Sequence, residues 1–382
     1  MRILAVDVGT GTQDILLFDT DLQPENCFKL VMPSPTMMVA RTVTAATRRG
    51  GAPLLLTGVT MGGGPSAWAV RDHAAAGNEV FATPDAARTF DDNLDAVREL
   101  GIEVISEDEA RALRRTRSDL LHLELHDFDY GMIARAFEGF GVDFPPEGVA
   151  VSVFDHGAAP PDVSDRQFRF DYLDERIRAH NRLSAFAFPA GEAPEIMTRL
   201  RSVEVSARAT GLPDGVPLMV MDSAPAAVLG ATLDPRVGER DQVLVTNVGN
   251  FHTLAFRLRP DGIGGVFEHH TGFLDAPKLD RLIAALADAT LTHEDVFGDM
   301  GHGALVYERE PVPLDFVAVT GPRRSLMHRS SLPTYLAVPY GDMMIAGCFG
   351  MIRAWADVFP GDAEAIYESL NGREQVAPWE LI

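Results

Sequence analysis

The chain has 382 residues, enough for two domains of ordinary size, and its 46% hydrophobic and 23% charged content is that of a globular protein. Its 33 Lys and Arg against 55 Asp and Glu leave a net charge of −22, which repels polyanions and argues against a nucleic-acid partner. Two cysteines are too few for a cysteine-only iron–sulfur or zinc centre, and no run approaches the roughly 20 apolar residues that span a bilayer.

In chain order, Ile3 to Val6 predicts a buried strand that ends in Asp7–Val8–Gly9–Thr10–Gly11–Thr12, and Ile15 to Phe18 predicts its hairpin partner. Cys27 to Met32 predicts a third strand before Pro33 and Pro35. Thr36 to Arg49 reads as a helix ended by Gly50–Gly51, and Leu54 to Val59 as a strand leading into Met61–Gly62–Gly63–Gly64–Pro65. The region 66–148 has a mostly helical pattern, with segments near 66–76, 91–100, 107–121 and 130–140. The four arginines between Arg111 and Arg117 read as a solvated helix face. Val149 to Phe154 predicts a strand that delivers Asp155–His156–Gly157. The segment 160–194 has no clear pattern; a helix near 193–210 and a strand from Leu218 to Met221 follow.

The N-terminal pattern then returns. Gln242 to Thr246 predicts a strand ending in Asn247–Val248–Gly249–Asn250–Phe251–His252–Thr253, with a second strand from Leu254 to Arg257. Two strand–turn–strand units about 240 residues apart form a weak repeat, consistent with duplicated α/β lobes. The first tip suits phosphate: glycines expose backbone N–H groups and threonine hydroxyls add donors. Asp7 would repel phosphate directly, so its expected role is to hold Mg²⁺ or its waters. An ordinary hairpin turn is the plainer alternative, and no Gly-Lys-Ser/Thr follows to make a Walker loop.

Five motifs in order resemble the actin, sugar kinase and heat-shock chaperone ATPase superfamily. Asp7 to Thr12 is similar to its first phosphate motif, Asp222–Ser223–Ala224–Pro225–Ala226–Ala227–Val228–Leu229–Gly230 to its first connecting helix, and Asn247 to Thr253 to its second phosphate motif. Phe316 to Pro322 is similar to the adenosine motif. Gly341 to Ala354, with small residues Ala346, Gly347 and Gly350, is similar to the second connecting helix. The resemblance implies an α/β, two-lobed actin-like (ribonuclease H-like) fold with a central cleft, divided into lobes at 1–225 and 226–382. It implies ATP and Mg²⁺ in that cleft, with Gly9, Thr10, Gly11, Thr12, Asn247, Gly249, Asn250, Thr253, Thr320 and Gly321 binding nucleotide, and Asp7 at the metal. It further implies a catalytic part for Asp7 and for Asp155, which would orient a water or acceptor hydroxyl; Asp72 and Asp14 are weaker candidates.

Two departures qualify the expected activity. Asn247 stands where catalytic members have Asp, and an amide holds a cation less strongly than a carboxylate. Pro322 replaces the second glycine of the adenosine motif, fixing φ and removing an N–H. The expected function is an ATP-dependent phosphotransferase or ATPase acting on an unidentified small molecule or protein; the alternative is a nucleotide-sensing protein with little turnover. More narrowly, the chain resembles a prokaryotic family often labelled pyruvate formate-lyase activating enzyme-like. Radical chemistry of that kind needs three nearby cysteines for its cluster, whereas Cys27 and Cys348 are two, 321 positions apart. Low cysteine use without a secretory signal favours a cytoplasmic protein.

Histidines recur beside glycines or within the second tip, at His156, His252, His269–His270 and His302. They are read either as a metal or acid–base cluster at the cleft or as separate turn residues. Gly62–Gly63–Gly64–Pro65 either approaches an acceptor or makes a tight turn, and Arg323–Arg324 either meets a base or ribose or faces solvent.

Overall fold

The first apolar run alternates between two cores. In a computed structural model describing residues 1–372, Ile3 and Ala5 enter one hydrophobic cluster while Leu4 and Val6 enter another, so the strand is covered on both faces. This strand, β1 (Arg2–Val8), is followed by β2 (Thr12–Asp19), β3 (Phe28–Pro33), β4 (Leu54–Gly58), β5 (Val80–Ala82), β6 (Glu103–Val104), β7 (Leu121–Leu125), β8 (Gly148–Val153), β9 (Ala187–Pro189) and β10 (Leu218–Asp222). The second half supplies β11 (Val243–Val248), β12 (His252–Arg259), β13 (Gly262–His270), β14 (Gly303–Val306), β15 (Val317–Thr320) and β16 (Thr334–Leu336).

Two six-stranded sheets result, in the orders β3-β2-β1-β8-β10-β9 and β14-β13-β12-β11-β15-β16. Within each, a founding strand pairs with an antiparallel hairpin partner on one side and a parallel strand on the other: β1 with β2 and β8, β11 with β12 and β15. With β9 and β14 set aside as additions to the common core, the remaining five strands of each sheet share one order, 3-2-1-4-5 counted from the founding strand. The molecule therefore has the two-lobed actin-like fold that the paired motifs imply.

The helices Ser223–Ala231 and Ala346–Val358 cross where the sequence places small residues. A Cβ at Gly230 would run into the Ala346 carbonyl, and one at Gly350 into the Ala226 carbonyl, so backbone meets backbone with nothing between. The second of these helices packs Phe349, Met351, Ile352 and Trp355 into the cluster beneath β1, and Ile366 and Leu370 of the next helix join it. The last two helices thus return to the first sheet, so a division after residue 225 gives the N-terminal lobe too little: chain position and core membership part company at 346–370.

Residues 54–125 hold a four-stranded parallel sheet, β6-β5-β4-β7; β4 is the strand expected at Leu54 to Val59, but β5, β6 and β7 lie in the region 66–148 where a mostly helical pattern was expected. The expected helices are present at Pro65–Ala75, Leu94–Glu99, Glu107–Thr116 and Tyr130–Gly139. β5 and β6 are only three and two residues long, too short to show a period of two. Arg111, Arg114 and Arg115 are exposed on the helix Glu107–Thr116. The unpatterned segment 160–194 contains the helix Asp165–His180, whose buried face carries Arg169 among Phe170, Leu173 and Ile177. No helix among the described residues is long and apolar enough to cross a membrane.

Candidate functional site: a cleft between two matched turns

The turns β1–β2 and β11–β12 are built alike. Each is closed by a glycine N–H donating to the carbonyl three residues on: Gly9 to Thr12 at 2.9 Å, and Gly249 to His252 at 3.0 Å. Each is braced from behind by a hydroxyl residue that follows the third strand of its sheet. Ser34 donates to the Thr10 carbonyl at 2.6 Å, and Thr271 to the Gly249 carbonyl at 2.8 Å. With carbonyls held on that side, the N–H groups of Thr10, Gly11, Asn250 and Phe251 have no hydrogen-bond acceptor among the described residues. Unpaired main-chain donors on neighbouring turns form the kind of nest that receives phosphate oxygens.

The turns converge. Gly9, Thr10, Asn247, Gly249 and Asn250 line one cavity of about 970 Å³, and a Cβ on Gly11 would lie only 2.7 Å from the Asn250 side-chain nitrogen. Gly11, Thr12, Thr253, Thr320 and Gly321 do not line it. Thr253 instead hydrogen-bonds Thr271 at 2.9 Å, behind the second turn. Thr320 is paired with Asn247 across β15 and β11, and Gly321 takes a positive φ of 97° against the Asn247 side chain, so the adenosine motif props the second turn.

Asp7 sits behind its turn. Its Oδ1 accepts from the Ser152 and Ser223 hydroxyls, each at 2.7 Å, and its Oδ2 abuts Gly347, where any Cβ would collide with it. Burial raises its pKa against the lowering effect of the two serines. Of these groups, Ser223 reaches the cavity wall. Across the strand pair stands Asp14, whose carboxyl burial and then the Asp7 charge push up to about 8. Asp155 lines the cavity, but its oxygens accept from the Gly157 and Leu200 amides, each at 2.9 Å. A carboxylate so engaged shapes a loop and is poorly placed to take a proton, which departs from the catalytic part expected of it. Asp72 is exposed on the helix Pro65–Ala75.

At one end of the cleft the lobes are joined by polar contacts. The buried Arg169 donates to Asp222 at 2.7 Å and to Glu268 at 3.0 Å, and its guanidinium lies 3.9 Å over the Phe154 ring. Burial raises the Glu268 carboxyl to about 7 although Arg169 opposes it. Beyond Glu268 stand His156, His252 and His302, with the Nε2 atoms of His156 and His302 3.2 Å apart. Phe154 stacks on His252 with ring centroids at 4.0 Å. Burial, with Arg169 and neighbouring imidazoles adding to it, holds His156 at about 3 and His252 and His302 well below 6.5, so all three are neutral at pH 7. The scattered histidines of the sequence thus meet, apart from His269, which turns away to Asp299 at 3.3 Å; the ring of His270 lies near the cluster.

A protein family described as "Putative pyruvate format-lyase activating enzyme (DUF1786)" matches residues 61–326. The chain belongs to this family. The two cysteines cannot hold the three-thiolate cluster that its description suggests; both are buried, and Cys348 Sγ points to the Ala5 and Asp14 carbonyls. No curated protein matches the chain. Among solved structures it is similar to the ethanolamine utilization protein EutJ from Carboxydothermus hydrogenoformans (10% identity, 92% of this chain and 89% of that one, TM-score 0.31). It is also similar to an exopolyphosphatase-like protein (10%, 84% and 65%, 0.27) and to nucleotide-free acetone carboxylase (10%, 69% and 45%, 0.22).

Several wall residues carry no sequence signal. Arg199 lines the cavity from the helix Thr198–Ala209, held by Asp127 through paired bonds of 2.6 and 3.0 Å. Its partner lies 72 residues earlier, beyond any local pattern. Asp92 also lines the cavity, and burial followed by Asp165, Asp155 and Asp91 raises its pKa. Gly64 faces Phe251, where a Cβ would come within 2.9 Å of the ring, and Trp68 meets the same ring edge-on at 5.5 Å. The glycine-rich loop after β4 therefore closes the cleft against the second turn.

Proposed function

We propose that this protein binds ATP with magnesium between its two matched turns and acts as an ATP-dependent phosphotransferase or ATPase. The observation that carries the reading is the convergence of the two turns, with unpaired amides at Thr10, Asn250 and Phe251, on one cavity. Thr10, Asn250 and Phe251 would supply N–H donors to phosphate oxygens, as positioning and charge stabilisation require, with the unpaired Gly11 amide beside them. Magnesium would neutralise charge on the transferring group. The Ser223 hydroxyl, which gives its proton to Asp7 and keeps oxygen lone pairs toward the cavity, is the protein oxygen best placed for the ion, and Asp7 acts through it. Asp92 is the acceptor-side base of this reading, because Asp155 is committed to backbone amides.

A second reading is a nucleotide sensor with little turnover. Asn247 favours it, since the second turn offers an amide where a carboxylate would bind metal more strongly. Calorimetry with Mg-ATP and phosphate-release assays separate the two. Binding with turnover that Asp92→Asn abolishes supports the enzyme; binding without turnover supports the sensor. Absence of nucleotide binding by well-folded protein sinks both.

A further inference from the structure

We propose that His156, His252 and His302 form a three-histidine site for a divalent transition metal, best matched by zinc, that bridges the two lobes at the end of the cleft. The ligand atoms of the three side chains lie within 4.8 Å of one another. Two nitrogens bound to one tetrahedral zinc at about 2.05 Å stand roughly 3.3 Å apart, and His156 and His302 already place theirs at 3.2 Å. The His252 nitrogen lies within 4.8 Å of both, and would close on the ion by sliding in the plane of its stack on Phe154. Nitrogen donors in such a three-ligand group suit zinc, which keeps a fourth position open in catalytic sites.

The surroundings favour this arrangement. The Nδ1 of His302 is fully buried, lies 3.4 Å from Glu268 Oε1 and makes no hydrogen bond of good geometry. A carboxylate behind a ligand histidine directs Nδ1–H toward itself and leaves Nε2 as the lone-pair nitrogen. Ligation would polarise that N–H and tighten the contact. Glu268 is held in turn by Arg169, whose charge is offset by Asp222 as well. Phe154, stacked on His252, fixes the plane of that ring.

Position gives the site its consequence. His156 follows β8 of the first sheet, His252 opens β12 of the second, and His302 precedes β14. His156 and His252 also line the cavity, so the open coordination position faces the cleft and would take water or an oxygen of a bound small molecule. Metal occupancy would pin the lobes at that end independently of nucleotide.

The test uses the full-length protein, tag removed, stripped with chelator and titrated with zinc alone. Equilibrium dialysis with elemental analysis should find one zinc per chain, and cobalt substitution should give the intense visible absorption of a tetrahedral site. His156→Ala and His252→Ala should each weaken zinc binding by at least about 30-fold, and Glu268→Gln by about 10-fold. His328→Ala, an exposed control, should change nothing. Circular dichroism screens the variants for folding, and the cobalt spectrum of the wild type stands without them. Folded wild-type protein that binds no zinc overturns the proposal, as does zinc binding that survives both His156→Ala and His252→Ala.

Discussion

At the first turn the strand pair ends on two facing carboxylates, Asp7 opposite Asp14; at the second, the same register sets Asn247 opposite Leu254. The closing bond is the same in both, and each has a hydroxyl brace, on the Thr10 carbonyl in the first and on that of the closing Gly249 in the second. The shared part is the backbone, which presents free amides, and the part that differs is charge. The first turn stores the half-buried Asp7 and the buried Asp14 beneath the helix Ala346–Val358, whereas the second is neutral and carries the aromatic surface of Phe251 and His252. One side of the cleft is therefore sensitive to ionisation, and the other to side-chain contact with the loop that covers it.

The sharpest way to break this comparison is to fill each turn with a side chain. A Cβ on Gly249 would lie 2.6 Å from the His252 carbonyl oxygen, a backbone atom with nowhere to go, whereas on Gly11 it meets the movable Asn250 amide. Gly249→Val should weaken Mg-ATP binding at least about 100-fold, roughly 2.7 kcal/mol, and Gly11→Ala by less than about 10-fold. Calorimetry gives both numbers, and equal losses would show that the turns are not differently constrained.

The facing acid pair predicts an asymmetry in pH dependence. Folded protein keeps the Asp14 proton up to about pH 8, while an unfolded aspartate loses it near 3.9. The folded state binds the extra proton between those values, so stability falls as pH rises from about 4 to 8 and is level above. Asp14→Asn removes that slope. It should raise stability by about 1–3 kcal/mol at pH 7.5 and by little at pH 4. Urea melts at the two pH values measure it, and a variant less stable at pH 7.5 would mean the carboxylate is ionised in the fold.

Much of this was legible in the sequence, and the reason is local chemistry. Glycines and small polar residues at a strand end mark a turn whatever surrounds it, so Gly9, Thr10, Gly249 and Asn250 could be picked out, as could the small residues of the crossing helices. What escaped depends on distant partners. Asp155 has the look of a catalytic carboxylate until Leu200 and Gly157 claim its oxygens. Arg199 gains its place through Asp127 and the Phe154 carbonyl, and Arg169 is an ordinary helical arginine until Asp222 and Glu268 enclose it. Thr320 and Gly321 were read through a motif, but register turns them to the back of Asn247. The histidines were visible as a set without a geometry.

Restoring charge to the second turn sharpens the comparison from the other side. Asn247→Asp would give it the carboxylate that the first turn holds, next to a cavity where a metal-bound phosphate is proposed. If the missing charge limits turnover, phosphate release should rise about 5-fold in the presence of magnesium and be unchanged without it. A fall with magnesium present would show that the neutral amide is the functional state.

The smallest expected effect reads the contact between the second turn and its cover. Trp68 is half exposed, and its ring meets Phe251 edge-on, so closing the loop after β4 changes what the indole touches. The first turn has no aromatic equivalent, which makes this signal specific to the second. Adding Mg-ATP should shift the tryptophan emission intensity by about 5–15%, and Phe251→Ala should remove most of that change while leaving nucleotide affinity within about threefold. Trp355 is buried in the core beneath β1 and stays in its own environment, and a Trp379→Phe background removes the third tryptophan so that the change reads Trp68. A full-sized shift in Phe251→Ala would place the reporting motion elsewhere and separate loop closure from the second turn.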